Sequence, residues 1–166
     1  MNKILVLVLI SLTLAGCFRI YDLEEELKTV TSIADFKRFK HICVEVDNTQ
    51  KRLVFTDIQS SCIHINLIKA NKLSERWGLG AMKAIWFHEL AHLNQIKDFA
   101  SIYSDVSYKI LELKADEYSG CQMKKQGVNP KYIIKYLEKK YLPNSRHGML
   151  KERVLAIKSG FSCCDG

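Results

Sequence analysis

The chain has 166 residues, of which 48% are hydrophobic and 26% charged, and its formal charge is +7 at neutral pH. This balance excludes an intrinsically disordered tail and a multi-pass membrane protein, since both need a far more biased composition. With only 8 glycines and 2 prolines, collagen-like and turn-dense all-β architectures are also excluded; what remains is one compact, helix-rich domain whose surplus positive charge suits anionic surfaces.

Lys3 precedes an unbroken apolar run, Ile4 to Ile10, continued by Leu12 and Leu14. The run is too short to span a bilayer and has the form of a signal-peptide apolar region. It ends in Leu14-Ala15-Gly16-Cys17, where two small residues fit an extended backbone into a peptidase cleft and Cys17 offers a thiol. The segment resembles a bacterial lipoprotein box. That resemblance implies a signal peptide over 1–16 and a mature domain over 17–166. The domain would be exported and held on the periplasmic side of a membrane by lipid on Cys17. Phe18, rather than Asp, follows the cysteine, which in a Gram-negative host is the pattern of outer-membrane delivery. The alternative is an ordinary signal peptide with a cysteine nearby.

Residues 22–40 read as a helix, with Leu23, Leu27, Val30, Ile33, Phe36 and Phe39 three or four apart and Asp22 and Glu24 to Glu26 at its N-terminal end. The period then changes to two. Ile42, Val44 and Val46 alternate, Asp47 to Gln50 form a turn, Leu53 to Phe55 follow, and Cys62 to Leu67 alternate again, predicting an antiparallel sheet of about three strands. From Leu79 onward the pattern is helical. Segment 79–97 is apolar around much of its circumference, as a buried helix is. Segment 103–125 stops before Gly127, Asn129-Pro130 opens a helix over 130–140, Pro143-Asn144 breaks it, and a last helix covers about 148–158. The expected fold class is α+β, with a small antiparallel sheet packed on a helical bundle.

An exported chain occupies a compartment where disulfides persist. Cys43 and Cys62 fall on neighbouring strands and are placed for a cross-strand bridge, and Cys121 can pair with either Cys163 or Cys164, leaving one thiol over. Adjacent Cys163-Cys164 lacks the paired C-x-x-C spacing of structural zinc sites.

The chemistry is concentrated in His88-Glu89-Leu90-Ala91-His92. Residues four apart on a helix share a face, so both imidazoles can reach one ion. Glu89, rotated by about 100° from His88, stays off the ion but near its water. Two histidines and a glutamate inside a buried helix would be costly without a partner. Two nitrogens and a carboxylate suit Zn2+ with one position left for solvent. The third ligand is sought in Glu112, twenty positions after His92, with Asp116 one turn on to accept a hydrogen bond from a ligand histidine and Ala115 small enough for close helix approach. The alternative is a solvated face on which Glu112 and Asp116 pair with Lys109 or Lys114.

H-E-L-A-H followed by E-x-x-A-D on the next helix resembles the gluzincin metallopeptidases, and among them the HtpX/CAAX-endopeptidase family and its exported relatives. The resemblance runs from about Ile63 to Ile157. Gly127-Val128-Asn129-Pro130 is similar to the family's G-x-D-P step, and Ser145-Arg146-His147-Gly148 with Glu152-Arg153-Val154 resembles its T-H-P…E-R-I segment, with Gly148 in place of the proline. The resemblance implies a zincin-like fold, with His88, His92 and Glu112 as zinc ligands, Glu89 as general base and Asp116 as partner of a ligand histidine. It also puts His147 near the metal, filling the open position or facing the substrate oxyanion. Arg153 would anchor that loop or stabilise negative charge. His41 and His64 have no metal-like spacing.

The expected activity is zinc-dependent hydrolysis of peptide bonds in unfolded or envelope polypeptides, with the strand at 62–67 offering an open edge to an extended substrate. The alternative is a zinc-bearing or metal-free scaffold lipoprotein that binds envelope proteins without cutting them. Ten cationic side chains between Lys124 and Lys158, Arg146 and Arg153 among them, form a basic flank that can rest on anionic lipid or simply be solvated. Nucleic acid is not an expected partner, because the export signal points elsewhere and no reader motif is present.

Overall fold

The computed structural model describes residues 43–95, 105–140 and 147–164. The signal segment 1–16, Cys17, the helix read over 22–40, His41, Pro143-Asn144 and Ser145-Arg146 lie outside the described residues. The architecture is α+β: strands β1 (Cys43–Val46), β2 (Val54–Asp57) and β3 (Cys62–Ile65), then helices α1 (Leu67–Trp77), α2 (Leu79–Asn94), α3 (Asp105–Lys125), α4 (Lys131–Lys140) and α5 (Leu150–Cys163). Among the described residues no helix is long and apolar enough to cross a membrane.

The sheet departs from the sequence expectation. Its order is β1-β3-β2, with β3 parallel to β1 and antiparallel to β2, so it is mixed rather than antiparallel. Ile63 and Ile65 are almost fully buried, and the most apolar strand takes the middle because only there are both of its neighbours covered. Consequently β3 has no open edge, and the edge facing the helices belongs to β2. The strand also ends earlier than the alternation suggests. Asn66 turns out of the sheet, its Oδ1 accepts the Lys69 amide at 2.9 Å, and Leu67 begins α1, a helix the strand-like run up to Leu67 conceals.

Helix α2 is buried on nearly every side, with Met82, Trp86, Phe87, Leu90 and Leu93 at 0–1% exposure, and this fixes the orientation of everything it carries. Helix α3 closes with Val128 N–H on the Met123 carbonyl (2.8 Å) and Gly127 N–H on that of Lys124 (3.1 Å), and Asn129 Oδ1 accepts the Lys131 amide at 2.9 Å to start α4. Helix α5 runs on to Cys163, past the expected end near 158, because Gly120 and Gly160 let it settle directly onto α3. A Cβ at Gly160 would fall on the Glu117 carbonyl, and one at Gly120 on the Ile157 carbonyl. Gly160→Ala is therefore expected to cost about 1–3 kcal/mol through forced separation of α3 and α5, read as a lower midpoint in urea unfolding. Bridges join Cys43 to Cys62 and Cys121 to Cys164, which selects Cys164 over Cys163 and leaves Cys163 free and exposed.

Candidate metal centre

His88 and His92 lie one turn apart on α2, both 7% exposed, and Glu112 on α3 is 1% exposed. His88 Nε2 is 3.1 Å from His92 Nε2 and 3.1 Å from Glu112 Oε2, while His92 Nε2 is 3.5 Å from Glu112 Oε1. The three residues form a group able to hold a metal ion. A second cluster, Cys43, Glu45 and Cys62, has both sulfurs committed to a disulfide.

Each ring is held from behind. His88 Nδ1 meets Asp116 Oδ1 at 2.9 Å. Gln95 donates its Nε2 to the Leu111 carbonyl at 3.1 Å, which turns its Oε1 toward His92 Nδ1 at 3.0 Å. With Nδ1 as the donor on both rings, two Nε2 lone pairs and a carboxylate face one another, an arrangement that becomes favourable when they share a cation.

Asp116, 2% exposed, also takes a two-point contact from Arg153, Nε to Oδ2 at 2.7 Å and Nη2 to Oδ1 at 2.8 Å. Burial raises the Asp116 pKa, but the Arg153 hydrogen bond and the His88 charge outweigh it and hold the carboxyl below its usual range. Arg153 thus supports the histidine's partner. The loop carrying His147 is anchored instead by Glu152, which accepts the Met149 amide at 2.7 Å and Lys109 Nζ at 2.6 Å. At Gly148 the backbone has φ +90°, a conformation that a proline at this position cannot adopt. His147, roughly half exposed, places Nδ1 2.5 Å from Glu112 Oε2. Because Arg153 is turned inward and Lys124 Nζ is bound to the Cys164 carbonyl at 2.7 Å, neither belongs to a free basic flank.

Glu89 lies outside the ligand triangle. Its carboxylate is met by Thr56 of β2, whose N–H reaches Oε2 at 2.8 Å. Two cavities meet at Glu89 and His147. One, of about 500 Å³, runs beside Arg52, Phe55 and Thr56; the other, of about 210 Å³, is walled by Ile85, Ile133, Tyr136 and Leu137. Sequence reasoning missed Gln95 and Thr56. Gln95 sits three residues past His92, a spacing that is a usable signal in retrospect, whereas nothing in the chain near Thr56 points to Glu89.

Burial opposes a charge on His88, but Asp116 and then Glu112 outweigh it and lift its pKa from 6.5 to about 10. Burial likewise pushes Glu112 up, and hydrogen bonds from His147, His88 and His92 bring it well below the carboxylate range. Without metal, the shared cation is therefore a proton. A raised histidine pKa contributes stability that is complete below pH 6.5 and fades as pH rises through about 10. Metal must displace that proton and binds more tightly as pH rises. Chelated protein is expected to lose thermal stability from pH 6.5 to 10 and metal-loaded protein to gain on it over the same interval, as checked by melting curves. Comparison of the chain with protein-family models, curated proteins and solved structures found no match.

Proposed function

We propose that the chain is a zinc-dependent endopeptidase acting on extended polypeptide, and the observation that carries this is the convergence of His88, His92 and Glu112. The two imidazole Nε2 atoms stand 3.1 Å apart, close to the edge of about 3.4 Å in a tetrahedron whose centre is ~2.0–2.1 Å from each corner. Each faces a different oxygen of Glu112, His88 Nε2 at 3.1 Å from Oε2 and His92 Nε2 at 3.5 Å from Oε1. A zincin-like fold and membership of the gluzincin group belong to the same proposal, supported by the H-E-L-A-H and E-x-x-A-D residues.

Zinc, when bound, polarises the scissile carbonyl and brings the pKa of a water toward neutrality. Glu89 accepts a proton from the attacking water and delivers it to the leaving amine. His147, which lines both cavities, donates to the developing oxyanion. Substrate aligns along β2, where alternation of the antiparallel ladder leaves the Val54 N–H and carbonyl and the Thr56 carbonyl facing outward. An apolar side chain beside the scissile bond enters the pocket walled by Ile133 and Leu137. Export and a lipid anchor on Cys17 would place this activity at a membrane surface facing unfolded envelope proteins, with exposed lysines of α4 against anionic lipid.

Purified protein spanning residues 17–166 is expected to carry one zinc and to cleave casein, to stop when chelated, and to recover on zinc addition. Glu112→Gln should lose the metal. Stoichiometric zinc without cleavage would favour the scaffold reading instead, and no zinc at all would end both.

A further inference from the structure

The strand edge that borders the cleft holds the base itself. A glutamate on a helix has three side-chain torsions, and no hydrogen bond from a described residue of α2 fixes the Glu89 carboxylate. Thr56 does restrict it. Its N–H meets Glu89 Oε2 at 2.8 Å, its Oγ1 meets the Glu89 backbone carbonyl at 2.8 Å, and the same Oγ1 is 3.0 Å from Oε2. The N–H cannot swing away, because Thr56 is fixed in register opposite Ile63 of the central strand. The hydroxyl has one proton for two acceptors, and in the bond to the carbonyl it ties β2 to α2 whatever the carboxylate does.

We infer that Thr56 is the positioning residue for the general base, an inference that rests on the peptidase reading. Oε2 is held by the sheet, and Oε1, which has no hydrogen bond to a described residue, is the oxygen that takes the proton from water. On this assignment the β2 edge has two tasks divided along its length. The Thr56 N–H serves the base, and the outward Val54 groups serve the substrate backbone. A peptide added to this edge therefore makes no hydrogen bond to the Thr56 N–H.

The test compares wild type, Thr56→Val and Thr56→Ser, each loaded with zinc, on one fluorogenic peptide. Thr56→Val keeps the N–H and removes the Oγ1 contacts that clamp β2 against Glu89, so with one of the two restraints on Oε2 gone kcat should fall by about 10-fold. KM and zinc content should hold, the melting temperature should fall with the loss of the Oγ1 bond that ties β2 to α2, and Thr56→Ser, which restores the hydroxyl, should recover most of both kcat and melting temperature. A structural role alone would move the melting temperature without separating kcat from KM. Independently of activity, the Thr56 amide should exchange with solvent much faster in Glu89→Ala than in wild type. Equal amide exchange in the two proteins overturns the role of the Thr56 N–H, and wild-type kcat in Thr56→Val overturns that of its hydroxyl. A zinc-loaded wild type that cleaves nothing defeats the peptidase reading and the catalytic role of Thr56 with it, while the amide measurement still decides the contact.

Discussion

Glutamine in place of Glu89 is expected to slow peptide hydrolysis by about 10²–10⁴-fold, the usual contribution of a positioned general base, with zinc content unchanged. The substitution isolates one property. Glutamine has the same length, and its carbonyl oxygen can accept from the Thr56 N–H as Glu89 Oε2 does, so the link between β2 and α2 survives. An amide cannot take a proton from water. Because Glu89 lies outside the triangle of His88, His92 and Glu112, metal binding has no reason to change. Initial rates on casein, set beside metal content on the same samples, check this. Equal rates for the two proteins would remove Glu89 from the reaction.

Asp116→Ala should have the largest effect on the folded state. Asp116 is bound at once by His88 and by Arg153. Its removal leaves the guanidinium, with a side chain only 17% exposed, without its carboxylate, and breaking a buried pair from one side typically costs about 3–5 kcal/mol. It also releases the His88 ring, and loss of such a partner lowers metal affinity by about 10–100-fold. The two consequences separate in a double variant. Asp116→Ala with Arg153→Leu removes both charges and should regain much of the stability. It should not regain the metal affinity, since the His88 Nδ1 partner is still missing. Denaturant midpoints and zinc titrations read the two quantities.

What the sequence discloses about this site is what helix periodicity carries. The spacing of four between His88 and His92, and again between Glu112 and Asp116, is enough to bring each pair to one face. The apolar residues around most of the circumference of α2 mark it as central. Residues acting across long sequence separations leave no such trace. Thr56 reaches Glu89 over 33 positions, and its side chain is an unremarkable strand threonine until the sheet is assembled. Strand order is hidden for the same reason: alternation at 43–46 and 62–65 identifies strands, but pairing them in parallel around β3 depends on which strand needs burial on both sides. Helix α1 is masked because Asn66-Leu67 continues the alternation of β3 by one more step, while the capping role of Asn66 becomes visible only through its bond to Lys69.

The bridge between Cys121 and Cys164 spans 43 positions, a loop whose closure takes about 4 kcal/mol of freedom from the unfolded chain in the entropic account. It has a further effect on durability. A protease that nicks the stretch between Gly127 and Leu150 produces two polypeptides, yet the fragment bearing Arg153 stays covalently joined to the one bearing Asp116. Such a clipped molecule keeps its ion pair and comes apart only on reduction, which favours persistence wherever degrading enzymes are abundant and thiols are scarce.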